Sequence, residues 1–218
     1  LQATHNAAAD VNTVLNTITA NAFKEFADAI EAGASPEQVA RDALKESWHA
    51  IFNGDNYDVA NQEMLTKAGV WRIDSGVEAI QRFTAPKNVE LFNKMGVFTE
   101  EECAARQTVL LDHYTGTVEM EALCMIDMIN KHVIPSCKEA SVGPLAALEK
   151  DIATIKAAVA AIHAADSAEE KGALARVLRL ETMINIRENC DAAEAVCPAN
   201  LWTLASYKDL LFLDHTLE

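Results

Sequence analysis

Residues 145–164 read LAALEKDIATIKAAVAAIHA, and residues 168–184 read AEEKGALARVLRLETMI. In the first stretch Leu145, Leu148, Ile152, Ile155, Val159 and Ile162 recur every three or four residues. That is the spacing of one face of a helix, close to the heptad stripe that suits antiparallel or supercoiled packing. The second stretch repeats the pattern with Leu174, Val177, Leu180 and Ile184. Ala165-Asp166-Ser167 lies between them, and Ser167 with Glu170 forms a helix start signal. Two long helices on a short link make a helical hairpin, expected near residues 144–192. This reading fixes the class as all-α, a multi-helix bundle.

The same periodicity extends toward the N-terminus. Thr99 with Glu102 caps the longest helix, expected over about 100–134 and ended by Pro135. Its apolar line is Leu110, Tyr114, Val118, Ala122, Met125, Ile129 and Val133. Residues 58–98 read as short helices in tight loops, with Ser75 and Glu78 as another capping pair and Gly69 and Gly96 as C-caps. Ser35-Pro36-Glu37-Gln38 is a capping box with proline at the first helical position. It opens a helix carrying Val39, Ala43, Trp48, Ile51 and Phe52. The first helix aligns Val11, Leu15, Ile18, Ala22, Phe26 and Ile30 and ends at Gly33. The total is eight to ten helices. The expected organisation is an N-terminal helical part, 1–98, and a part 99–218 holding the long helix, the hairpin and an aromatic tail, the two forming one continuous domain.

The chain has 218 residues, half of them hydrophobic, enough to own a core. Its net charge is -15, with 18 Lys plus Arg against 33 Asp plus Glu. Such a surface repels phosphate backbones and anionic headgroups, so nucleic acid is not an expected partner. No apolar run approaches the ~18 residues a membrane-spanning helix needs. The chain opens on Leu1 rather than Met, as a processed product or an excerpt would, and shows no secretory leader. Five cysteines, 103, 124, 137, 190 and 197, are odd in number and lack C-x-x-C spacing. They read as reduced thiols in an intracellular, reducing compartment, with a Cys190–Cys197 bridge as the alternative.

Candidate chemistry is sparse. Glu46-Ser47-Trp48-His49 is one E-x-x-H, whereas a di-iron bundle needs two with further glutamates. His113, His132 and His163 lack a Glu three residues earlier, and Glu119 and Glu121 diverge on a helix. Asn53 to Asp58 has oxygen ligands out of register for a calcium loop and reads as a turn. Cys124, among Met125, Ile126 and Met128, reads as core. Cys137, near His132 and Lys138, is the one mildly activated thiol. Met and Leu at 120–129 suggest either core or a hydrophobic groove, with core the commoner use. Glu100-Glu101-Glu102 suits the first turn of a helix. The expectation is no catalytic residue, no cofactor and no metal ligand. The candidate interaction residues are the tail aromatics Trp202, Tyr207 and Phe212, which anchor the tail to its own domain or to a neighbour.

Several stretches together resemble one family. Val11-Asn12-Thr13-Val14-Leu15-Asn16-Thr17-Ile18 resembles the opening of the C-terminal region of type III glutamine synthetases. Ile51-Phe52-Asn53-Gly54-Asp55, Lys87-Asn88-Val89-Glu90-Leu91-Phe92 and Gly96-Val97-Phe98-Thr99-Glu100-Glu101-Glu102 follow in the family's order. A long segment ending His132-Val133-Ile134-Pro135 continues the likeness. Residues 201–212 resemble the family's terminal Trp-Pro-x-Pro-x-Tyr-x-x-Leu-Leu-Phe, with Thr203 and Ala205 where prolines are usual. At the start, Ala7-Ala8-Ala9 stands where the family has a Gly/Ser-rich stretch and a Gly-Pro.

The resemblance implies a helical region that extends a subunit and helps build large rings. It places the metal-binding glutamates, nucleotide site and most of the glutamate site in segments outside this sequence. The departures point to a copy freed from catalytic constraint. The expected function is a non-catalytic structural or interaction subunit, with protein partners or further copies of itself. The alternative is a fragment of an intact ATP-dependent glutamate–ammonia ligase.

Overall fold

A computed structural model describes residues 8–212. Those residues are all-α. The helices are α1 (Ala8–Glu31), α2 (Pro36–Glu46), α3 (Val59–Lys67), α4 (Gly76–Gln81), α5 (Pro86–Lys94), α6 (Glu100–Met128), α7 (Ile134–Ala140), α8 (Leu145–Ala164), α9 (Ala168–Val177), α10 (Met183–Val196) and α11 (Tyr207–Leu211). A π turn, Ile129–Val133, joins α6 to α7, and another, Leu178–Thr182, joins α9 to α10. Each pair is one continuous rod, so the described residues hold nine separate helices.

Proline 135 does not end the long helix. In an α-helix its ring would clash with the carbonyl four residues back, and its missing N–H would break the ladder. The π turn re-registers the ladder just before it: the Ile134 N–H donates to the Ile129 carbonyl, five residues away. One extra residue accommodates the ring, and the rod runs on to Ala140. There Ser141 adopts a left-handed conformation, φ 56°, and closes the end.

The chain divides into two compact units, residues 1–107 and 108–218, with the boundary inside α6. In the second unit, Val118, Ala122, Ile129 and Val133 of the long rod meet Leu148, Ile152, Ile155, Val159 and Ile162 of α8 in one core, closed by Ala175, Leu178 and Ile186. Every apolar stripe position of α8 after Leu145 is buried. The long rod differs in detail: Leu111 and Ile126 are buried, while Leu110 and Met125 are half-buried. Apolar residues occupy two adjacent lines of this helix, and packing selects between them.

The first unit has a smaller core. Val77, Phe92 and Cys103 are buried, and Phe83, Phe92 and Phe98 cluster with ring centroids 5.1 to 6.0 Å apart. Arg106 lies over Phe98 and pairs with Asp10 at 3.6 Å. The helix starts follow the sequence closely. Thr99 and Glu102 form a full reciprocal box, the Thr99 N–H donating to Glu102 Oε2 at 2.8 Å and the Glu102 N–H to Thr99 Oγ1 at 3.2 Å. Ser35 accepts from the Gln38 N–H at 3.2 Å, but the Gln38 side chain turns to Asp42, so that box is half made.

Candidate functional site

The tail aromatics separate. Trp202 is partly buried against the second unit's core, beside Met125, Met128, Cys190 and Leu204. Its neighbour Thr203 meets His132 Nδ1 at 2.8 Å, tying the tail to the long rod. Phe212 is half exposed. Tyr207 opens α11 behind a Ser206–Asp209 capping box, and its side chain lies outside the described residues.

The chemical candidates are also dispersed. Glu46 ends α2, and His49 sits in a short 3-10 turn, Trp48–Ala50, where its Nδ1 meets the Glu46 backbone carbonyl at 3.0 Å. The helical register that aligns an E-x-x-H is therefore absent. Glu119 pairs with His163 on α8 at 2.7 Å, whereas Glu121 pairs with Arg179 of the second π turn at 3.3 Å. The two carboxylates diverge and reach different helices, as positions two apart must. The Asn53–Asp58 segment is a turn, with Asp55 Oδ1 accepting the Tyr57 N–H at 2.8 Å. Among the described residues no group of three or more His, Cys, Asp or Glu side chains is placed to hold a metal ion.

Two cysteine expectations are corrected. Cys137 is fully buried, and that burial pushes its thiol up from the ordinary value, the opposite of activation. Cys124 is exposed rather than core. Cys190 is pushed up to about 11, first by burial and then by Asp151 and Asp191. All five thiols are unbridged.

Two apolar surfaces stand open, of which the sequence offered the second only as the less common alternative to core. The first comprises open apolar side chains of α1, of α2 and of the segment after α2. Phe23 is 67% exposed and Trp48 70%, with Ile18, Phe26, Ile30, Leu44 and Ile51 also open. Ile18, Ala22, Phe23 and Phe26 line a shallow groove on α1. The periodicity of this helix marks an apolar face correctly, but periodicity cannot tell whether the chain itself covers that face. The second surface lies in the other unit. Met120, Cys124, Met128, Met183 and Ile184 line an open groove of about 560 Å³, with the Arg179–Glu121 pair on its wall. Met120 is 65% exposed. The Met-rich line read as core therefore faces outward.

The described geometry defines an all-helical module whose polar side chains serve caps and helix–helix pairs and whose apolar side chains exceed what it buries. Residues 36–160 match the model of the glutamine synthetase C-terminal domain, more than half of the chain. The chain belongs to that family. It is 29% identical to the type-3 glutamine synthetase of Dictyostelium discoideum over 131 residues, 57% of this chain and 18% of that protein. It is 22% identical to a glutamine synthetase of Butyrivibrio fibrisolvens over 205 residues, 81% of this chain and 29% of that protein. A Bacteroides fragilis glutamine synthetase is 26% identical over 129 residues, 56% of this chain and 18% of that protein. The chain thus spans less than a third of the length of these relatives. No helix among the described residues is long and apolar enough to cross a membrane.

Proposed function

We propose that this chain acts as a structural and interaction module of a larger glutamine synthetase-type assembly, without catalysis of its own. One observation carries this reading: among the described residues, the apolar face of α1, and separately Trp48 and Ile51, are open to solvent. Open apolar surface of this kind marks a protein-binding site or an aggregation liability. Trp is among the side chains that most often carry binding energy when a partner encloses them, and Phe is enriched at interface cores. Phe212 is a further contact of the tail, whereas Trp202 anchors the tail to its own unit. The module works in an intracellular, reducing compartment, which keeps its five thiols free.

The test is direct. The purified 218-residue chain, given glutamate, ATP, ammonia and magnesium, is expected to form no glutamine. Glutamine formation dependent on ATP and ammonia would overturn the proposal. Replacing Phe23 and Trp48 with Ser is expected to release whatever protein copurifies with the native chain. Retention of that protein at wild-type yield counts against α1 as the docking face.

A second reading is favoured by the partial coverage of the relatives: the chain is one piece of an intact glutamate–ammonia ligase, and the open face of α1 packs against the rest of that polypeptide. The intact mass of the natural protein separates the two. A mass several times 23.7 kDa selects the enzyme piece, and a mass near it selects the separate subunit.

A further inference from the structure

We infer that the groove between α6 and the second π turn with α10 is a binding site for a soft monovalent metal ion of the Cu(I) or Ag(I) type. Met120, Cys124 and Met128 stand at i, i+4 and i+8 of α6, on one face of the helix, and all three are exposed. Met183 of α10 lines the same groove from the opposite wall. The groove thus collects one thiol and several thioethers, the donors that select soft ions over hard ones.

The spacing fits a shared ion. Cys124 Sγ lies 3.9 Å from Met128 Sδ, with the thiol directed at the thioether. Two sulfurs that each hold an ion at about 2.3 Å, in trigonal or tetrahedral geometry, lie about 3.8 to 4.0 Å apart. The thiol proton already points at the thioether sulfur that would share the ion. Replacement of the thiol proton by M⁺ leaves a neutral thiolate–metal pair and releases one H⁺ to solvent. No change of oxidation state is needed.

The charges around the groove set the valence. Arg179 and Arg187 line it, and its one carboxylate, Glu121, is engaged by Arg179. No histidine lines it. Arg187 is likewise paired, with Asp191 at 3.4 Å, so the groove has no spare carboxylate to offset a second positive charge, and a divalent borderline ion such as Zn²⁺ prefers imidazole or several thiolates. A monovalent ion on one thiolate carries no net charge there.

The probe is Ag(I), which needs no reductant, added below one equivalent to the full chain in chloride-free buffer. The readout is the rate at which iodoacetamide alkylates each cysteine, resolved by peptide mapping. Silver is expected to protect Cys124 ahead of the other four thiols, and Cys124→Ser to remove the tightest bound ion. Met128→Leu is expected to weaken protection of Cys124 by about tenfold or more, since loss of even an outer partner commonly costs that much. Met64→Leu, an exposed methionine of the other unit, is expected to change nothing. Equal protection of all five thiols, or unaltered protection of Cys124 in Met128→Leu, would overturn the site. Cys124 and Met128 are both exposed, so neither substitution threatens the fold.

Discussion

The two units of this chain use similar helical sequence to different ends. In the residues 108–218 unit, the stripes of the long rod, α8 and the α9–α10 rod meet one another, and Leu111, Leu148, Ile155, Ile162 and Leu178 are essentially inaccessible. In the residues 1–107 unit, α1 carries an equally regular stripe, yet Ile18, Phe26 and Ile30 are open and α2 buries no residue at all. The contrast teaches that amphipathicity reports a need for a partner and leaves open whether the partner lies in the same chain. Burial of a Leu or Phe side chain contributes about 1.5 to 3 kcal/mol. That contribution is realised within the second unit and deferred in much of the first.

The largest break of this comparison is expected from the second unit's core. Ile155→Ala removes a fully buried side chain from the centre of α8 and should cost about 2 to 5 kcal/mol in urea unfolding. A cost below about 1 kcal/mol would show that this core is loosely packed.

Gly143→Ala comes next. Gly143 has φ 87°, and a Cβ there would stand 2.8 Å from Cys137 Sγ, which is itself buried. Strain and crowding together should cost about 1 to 3 kcal/mol, read by the same unfolding curve.

Cys190 supplies a pH effect. Its folded-state value, about 11, lies above the ordinary thiol value of 9.0. The neutral thiol is favoured in the folded state, so this contribution is fully present below pH 9 and falls away as the pH rises from about 9 toward 11. Cys190→Ala should flatten that part of the stability–pH profile. An unchanged alkaline slope in the variant would assign the loss to other groups.

Ser136→Ala should act in the opposite sense. The Ser136 hydroxyl is buried with no hydrogen-bond partner in the structure, so its removal is expected to be neutral or to stabilise by up to about 1 kcal/mol. The smallest effect is expected on α1. Phe23→Gln should change the unfolding free energy of the isolated chain by no more than about 0.5 kcal/mol while raising its solubility limit. A cost comparable to that of Ile155→Ala would erase the distinction between the two units.

Much of the fold is legible in the sequence because helices report themselves locally. Ser35, Ser75, Thr99 and Ser167 all cap where the sequence puts them, each accepting the N–H three residues on. The stripe of α8 predicts its buried face almost residue by residue. Pro135 misled because its local rule assumes an unbroken α ladder, and the π turn that accommodates it has no strong sequence mark. The second helix misled for a related reason, since Trp48, Ile51 and Phe52 read as its continuation. Their apolar spacing fits a helix, but α2 stops at Glu46, which also leaves Glu46 and His49 out of helical register. The methionines of α6 misled because hydrophobicity gives the helix two adjacent apolar lines. Only one of them is covered by α8 and the α9–α10 rod.

By itself the sequence determined the helical class, the caps, the hairpin and, through ordered short motifs, the family. These depend on interactions within a few residues, which a linear string contains. The tertiary structure alone decided which apolar faces close on one another, which cysteines are sealed and which thiol stands in the open beside a thioether. Those outcomes turn on contacts between residues dozens apart, whose free energies depend on distance and enclosure that no local pattern encodes.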